Sequence, residues 1–291
     1  MVLFGGVNED VTLPGMTGTA RNCKVITTCF IGREVRDASE PAGTPTGWFA
    51  HAQHFPDPES VLELMALNYE LECTVDPGAE SDTIIVNNDV GWSRGNTYLA
   101  SIDGAKTFAG HIRVLTRENY GRSFGGYNAA FEQFRHAYQY WTFTEDDILV
   151  NGDQYLRRCI ERFERDANVG FVAIQGLSTT PVPHAHGGVG TTHVRVLDAV
   201  RTAWGSLPHR ARHESQDLCE IVTFGEILFT HVISRLGYQL VTVDTGAPLY
   251  AFADDHMRRA RGLPVKRRSR LFLRMLRRVA TLASRWADHI E

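Results

Sequence analysis

A chain of 291 residues with 43% hydrophobic content and a net charge of −4 is long enough for one large domain or two modest ones, and it buries a core without staples. Its five cysteines, Cys23, Cys29, Cys73, Cys159 and Cys219, are odd in number, widely spaced and free of C-x-x-C pairs. That implies neither a disulfide framework nor a zinc knuckle and fits a reducing, cytoplasmic setting. No stretch reaches the roughly 18 to 20 consecutive apolar residues that span a bilayer, and the opening residues lack a basic-then-apolar export pattern, so a protein neither exported nor integral to a membrane is expected.

In chain order, residues 1–21 are Gly- and Thr-rich without apolar periodicity and read as an irregular lead-in. Lys24 to Phe30 is β-branched and largely apolar, the pattern of a buried strand; Pro58 to Leu71 has helical spacing through Val61, Leu62, Met65, Leu67 and Leu71. Thr83–Val86 reads as a strand ending in Asn87-Asn88-Asp89, and His111–Leu115 as another. Gly126–Tyr140 reads as a helix, and Tyr140–Thr144 as a strand running into Glu145-Asp146-Asp147. Asp153–Arg165 follows as a helix with Asp153 at its N-cap, then Val169–Ile174 as a strand. Strands alternating with helices predict an α/β fold with a mostly parallel central sheet covered on both faces. Residues 22–256 read as one catalytic unit, and 257–291 as a basic helical extension.

Parallel sheets bind ligands at the carboxyl ends of their strands, which directs attention to the polar residues just after each apolar run. Three consecutive carboxylates repel one another unless a cation or solvent screens them. Mg²⁺ and Mn²⁺ favour such oxygen donors, held by one or two carboxylates plus substrate phosphates. Taken alone, however, Glu145-Asp146-Asp147 also reads as a solvated turn with one Asp as a cap.

Arg117-Glu118-Asn119-Tyr120-Gly121-Arg122-Ser123-Phe124-Gly125-Gly126-Tyr127-Asn128, a helix, and then the strand into Glu145-Asp146-Asp147 resemble the donor half of the inverting glycosyltransferases of the GT-A fold, the family 2 type. The resemblance implies that Asp147 is the metal ligand, with Glu145 and Asp146 near the ribose or completing the metal shell. It places Asn119, Arg122 and Asn128 on the donor, and Thr28 and Cys29 where the first strand meets the base. Asn88 and Asp89 fall where the base is recognised, with uracil, guanine and thymine all open. The first acid is Glu where the family usually has Asp.

An inverting transferase needs a carboxylate to take the acceptor proton while metal and fixed dipoles stabilise the leaving nucleoside diphosphate. Phe224-Gly225-Glu226-Ile227-Leu228-Phe229, continuing to Gly237-Tyr238, resembles the family's acid-containing helix and following strand, which puts Glu226 at the catalytic position. The family commonly has two adjacent acids; here Gly225 precedes a single Glu, with Glu214, Asp217 and Glu220 as fallback candidates. His184-Ala185-His186-Gly187-Gly188 resembles the glycine loop beside the acceptor, where Gly188 would let backbone approach the transferred sugar. The H-x-H pair, lacking further ligands in the sequence, reads as a polar loop more readily than as a zinc site. A late metal-binding histidine of the family would fall on His256, for which a surface role is equally open.

The expected cofactors are thus Mn²⁺ or Mg²⁺ and a nucleoside-diphosphate sugar donor, with a glycan, lipid-linked saccharide or small molecule as acceptor. From Arg270 onward, Phe272, Met275, Leu276, Val279, Leu282, Ala283 and Trp286 recur at helical spacing among arginines. This basic amphipathic helix either lies peripherally on an anionic membrane face or packs on protein, on its own domain or a second copy. Nucleic acid is not the expected partner, because the basic cluster carries no interleaved set of aromatic stacking residues beyond those of its apolar stripe, and the body is acidic. A non-catalytic nucleotide-sugar- or carbohydrate-binding protein of the same fold remains the alternative. A glycoside hydrolase fits less well, since its two carboxylates must flank a sugar rather than adjoin in sequence.

Overall fold

The computed structural model describes residues 22–31, 57–179, 182–210, 223–243 and 249–252. The lead-in, His256, the three fallback acids and the basic C-terminal helix lie outside the described residues. Every residue of β1 (Asn22–Thr28) is buried, because it pairs in parallel with β2 (Asp82–Asp89) on one side and with β4 (Tyr140–Glu145) on the other. A strand flanked this way and covered on both faces reads as a continuous apolar run.

One charged residue breaks that reading. Lys24 is 1% exposed and its Nζ lies 2.5 Å from Glu72 Oε1, while Glu72 Oε2 accepts the Thr83 hydroxyl. Glu72 belongs to the last turns of α1 (Pro58–Thr74). That helix starts where Asp57 accepts the Ser60 amide at 2.8 Å, with Pro58 at its first position. Its inward face is Val61, Leu64, Met65 and Asn68, rotated slightly from the expected apolar set, with Leu62, Leu67 and Leu71 partly buried alongside.

The remaining strands are β3 (Ile112–Glu118), β5 (Ile148–Val150), β6 (Val169–Ala173), β7 (Leu177–Ser178), β8 (His184–Ala185), β9 (Gly190–His193), β10 (Gln239–Thr242) and β11 (Tyr250–Phe252). Seven form the central sheet in the order β10-β6-β9-β4-β1-β2-β3. All neighbours in it are parallel except β9, which runs antiparallel to both β4 and β6. The helices are α2 (Ser93–Ile102), α3 (Arg122–Phe134), α4 (Tyr155–Arg165), α5 (Val194–Trp204) and α6 (Leu228–Arg235).

Alternation along β1 and β2 divides the core. Ile26 and Ile85 meet α1 and α2 on one face, whereas Cys23, Val25, Ile84 and Val86 meet α3, α5 and α6 on the other. The α4 residues Tyr155, Leu156, Cys159, Ile160 and Phe163 cover Val169 and Val172 of β6. A mostly parallel sheet flanked by helices is the architecture that the strand–helix alternation predicts.

Beyond shifts of a few residues at strand ends, the structure departs from the expected helices in three places. The third helix begins at Arg122 and ends at Phe134, because Gly121 and Arg122 take positive φ of 66° and 47° and turn the chain straight into it. Asp153 is not the cap of α4; left-handed Gln154 (φ 62°) precedes the helix and donates its amide to Asp76 O at 2.6 Å. Glu226 lies in a π turn, Thr223–Ile227, that leads into α6, rather than in the α-helix itself.

Candidate active site

The carboxyl ends of β1, β2, β3 and β4 lie side by side, so four polar segments far apart in sequence meet at one sheet edge. At the end of β4 the three acids take different roles. Asp146 is buried: its amide donates to Thr27 O at 3.1 Å, its Oδ2 accepts the Thr28 hydroxyl at 2.8 Å, and its carbonyl accepts Asn68 Nδ2 at 2.8 Å. It therefore ties β1 and α1 to the acidic turn. Glu145 and Asp147, on either side, are half-buried.

Beneath them sits Tyr127 of α3, fully buried, packed on Phe143 at 4.7 Å between ring centroids. Burial raises its hydroxyl well above the usual tyrosine pKa, and the negative charges of Glu145, Asp147 and Asp146 push it further the same way. The phenol thus stays neutral below three carboxylates. Sequence reading singled out its neighbour Asn128 instead, because which face of α3 looks toward the strand ends is set only when the helix docks. Asn128 Oδ1 accepts the Leu207 amide at 2.9 Å and holds the segment after α5.

On the β2–β3 side, Asn88 accepts from Arg117, whose guanidinium lies 4.0 Å over the Tyr120 ring and also bonds Tyr120 O at 2.8 Å. Asp89 accepts from Asn96 at 2.9 Å and from the Gly91 amide at 2.8 Å, and these bonds hold its carboxyl below the usual aspartate range. Asn119 Nδ2 reaches Cys29 Sγ at 3.3 Å, joining the ends of β3 and β1. Arg122 opens α3. Thr28, Cys29, Asn88, Asp89 and Asn119 therefore share one sheet edge, with several side chains already engaged in framing it.

Glu226 comes to this edge from the other half of the chain. A 3-10 turn, His186–Gly188, lies against both the end of β4 and the π turn that carries Glu226. Gly187 and Gly188 take φ of 61° and 63°, which favours glycine. The Gly187 amide donates to Glu226 Oε1 at 2.8 Å. Burial pushes the Glu226 carboxyl above its ordinary pKa, and this hydrogen bond offsets part of the rise. The glycine loop and Glu226, singled out separately in the sequence, are thus one unit.

The loop histidines converge on the same carboxylate. His184, His186 and Glu226 each offer a donor atom within 4.8 Å of the others. Sequence spacing reveals the H-x-H pair but not its third member, 40 residues on, which the antiparallel β9 and the α6 approach bring together.

No family model matches the chain, and no curated protein matches it in sequence. Among solved structures it is similar to the mannosyltransferase PcManGT from Pyrobaculum calidifontis, in complex with GDP-Man and Mn²⁺, at 14% identity over 94% of this chain and 76% of that one, with a TM-score of 0.46. It is also similar to 4-diphosphocytidyl-2C-methyl-D-erythritol synthase, at 12% identity over 88% and 99%, with a TM-score of 0.37. The fold assignment rests on strand order and helix placement rather than on these likenesses.

Proposed function

We propose that the protein is a metal-dependent, inverting glycosyltransferase that moves a sugar from a nucleoside-diphosphate donor to a hydroxyl of a glycan, lipid-linked saccharide or small molecule. The observation that carries this reading is the pairing, across one glycine turn, of a half-buried acidic strand end with a raised-pKa carboxylate. Hard oxygen donors concentrated over a buried phenol suit Mg²⁺ or Mn²⁺, so Asp147 and Glu145 fit a divalent cation, which would neutralise diphosphate charge.

Thr28, Cys29, Asn88 and Asp89 line the edge assigned to the nucleotide base, and Asn119 and Arg122 the approach to the phosphates. Glu226 takes the acceptor hydroxyl proton. The freed oxygen then forms a bond to the anomeric carbon from the face opposite the diphosphate. The bond to the leaving phosphate oxygen breaks with its electron pair, and the centre inverts in one step. A carboxylate held by the Gly187 amide is oriented for that transfer, and a raised pKa makes it a stronger base once ionised.

The test is donor binding. With Mn²⁺ present, Asp147→Ala is expected to abolish the metal-dependent gain in affinity for nucleotide sugars, measured by calorimetry. Unchanged affinity removes the assignment. A binding module without turnover is the second reading, favoured by the single acid at Glu226; donor binding with no metal-dependent hydrolysis or transfer across a broad acceptor panel would select it.

A further inference from the structure

We propose that His184, His186 and Glu226 form a second cation site, selective for a late first-row transition metal such as Zn²⁺, and chemically distinct from the acids at the end of β4. Its donor set is two imidazoles and a carboxylate, which suits Zn²⁺, Ni²⁺ or Cu²⁺ far better than Mg²⁺. Three protein ligands with a fourth position open is the form that zinc takes where a small ligand or water completes the shell.

The local backbone builds this set. Ala185 is extended (φ −88°, ψ 136°), so buried His184 before it and His186 after it, at the start of the 3-10 turn, project to one side of the chain, while the Ala185 amide is held by Thr230 Oγ1 at 2.8 Å. The two rings meet edge to face at 5.8 Å. His184 Nδ1 lies 2.8 Å from Val182 O; a carbonyl only accepts, so the proton sits on Nδ1 and the lone pair on Nε2. That Nε2 is buried and has no hydrogen-bond partner among the described residues. A carbonyl fixing the tautomer of a ligating imidazole is the usual support of a metal-bound histidine.

Glu226 is held in the same way, by the Gly187 amide on Oε1. Donor atoms on a four-coordinate zinc sit about 3.3 Å apart, given bonds of about 2.0–2.1 Å. From mutual distances within 4.8 Å, the three close onto one ion by side-chain shifts of at most about 1.5 Å. A consequence, resting on the transferase reading above, is that an ion here ties up the acceptor base, so Zn²⁺ inhibits transfer even when Mn²⁺ is saturating.

The experiment uses the tag-free full chain, stripped of metal, titrated with Co²⁺ as the probe and followed by calorimetry and by visible absorption. One tightly bound Co²⁺ per chain with the intense bands of a four-coordinate, nitrogen-containing site is expected, set apart by its spectrum from weaker binding at the acids of β4. His186→Ala and Glu226→Gln, each checked for folding by circular dichroism, should each lose more than the ~10–100-fold in affinity that removal of an outer-shell partner costs. Asp147→Ala should keep the Co²⁺ spectrum and affinity. No binding by the unaltered chain, an unchanged affinity in His186→Ala, or loss of the site in Asp147→Ala would each overturn the proposal. Because the readout is metal binding alone, its failure leaves the transferase reading standing, and absence of transfer leaves this site standing.

Discussion

At the scale of single residues, neighbouring acids differ through their contacts rather than their chemistry. Asp146 is consumed by Thr28 and the backbone of β1, while Glu145 and Asp147 keep partial exposure. Glu226 is half-buried as well, and the desolvation of its carboxyl lifts its pKa. Glu226→Gln is therefore expected to retain donor binding and to lose ~10²–10⁴-fold in kcat, the usual worth of a positioned general base; near-native turnover would dismiss it from that role. The pH profile follows from the direction of the shift. A base must be ionised, so in Mn²⁺ the acid limb of kcat/KM should lie above the ordinary glutamate value of about 4.3. Stability runs the other way. A carboxyl that keeps its proton to higher pH in the folded state contributes stability that is full below the unfolded pKa and is lost as pH rises through the folded one. Glu226→Gln should flatten that decline, measured by thermal melts across the interval.

At the scale of elements, α3 explains the departure at position 225. A Cβ on Gly225 would lie 2.2 Å from Phe124 Cδ2 and 2.7 Å from Cγ. Phe124 is itself wedged between Tyr127 at 5.2 Å and Phe229 at 6.0 Å. The second acid that the resembled family carries has no space while that ring occupies the gap. Gly225→Ala is accordingly expected to cost about 1–3 kcal/mol from overpacking, and Gly225→Asp more, read by urea unfolding. An unaffected Gly225→Asp variant would mean that the ring moves aside freely. The same docking of α3 and the π turn sets where Glu226 stands relative to the glycine turn, so Gly225→Ala should also lower transfer.

At the scale of the whole molecule, the end of the sheet opposite the candidate site is closed by a buried ion pair. Lys24 in the central strand meets Glu72 of α1 at 2.5 Å, with the ammonium 5.6 Å from the Tyr155 ring centroid. Glu72→Ala leaves that cation buried and unmatched, and should cost about 3–5 kcal/mol. Lys24→Met should cost much less, because Glu72 keeps the Thr83 hydroxyl and some solvent. Equal losses in the two variants by denaturant unfolding would contradict this asymmetry. Function should survive Lys24→Met, since the pair lies at the amino ends of the strands, away from the acids of β4.

Much of the architecture was legible in the residues alone. Apolar runs of strand length with helical segments between them dictate a mostly parallel sheet, because a run without alternation is stable only when both faces are covered. Polar clusters just past those runs mark a ligand edge, since parallel strands all end on the same side. β5, β9 and β11 escaped notice because they are three or four residues long, and a pattern so short has no period to read. The charge of Lys24 escaped because its partner is 48 residues away. Tertiary structure alone decided which acid is buried, that Tyr127 lies beneath all three, and that His184, His186 and Glu226 converge. Sequence by itself determined which residue types stand at the ends of strands. Which of them touch was decided by the antiparallel return of β9 and the docking of α3 and α6, because contacts between distant segments depend on packing geometry that local pattern does not encode.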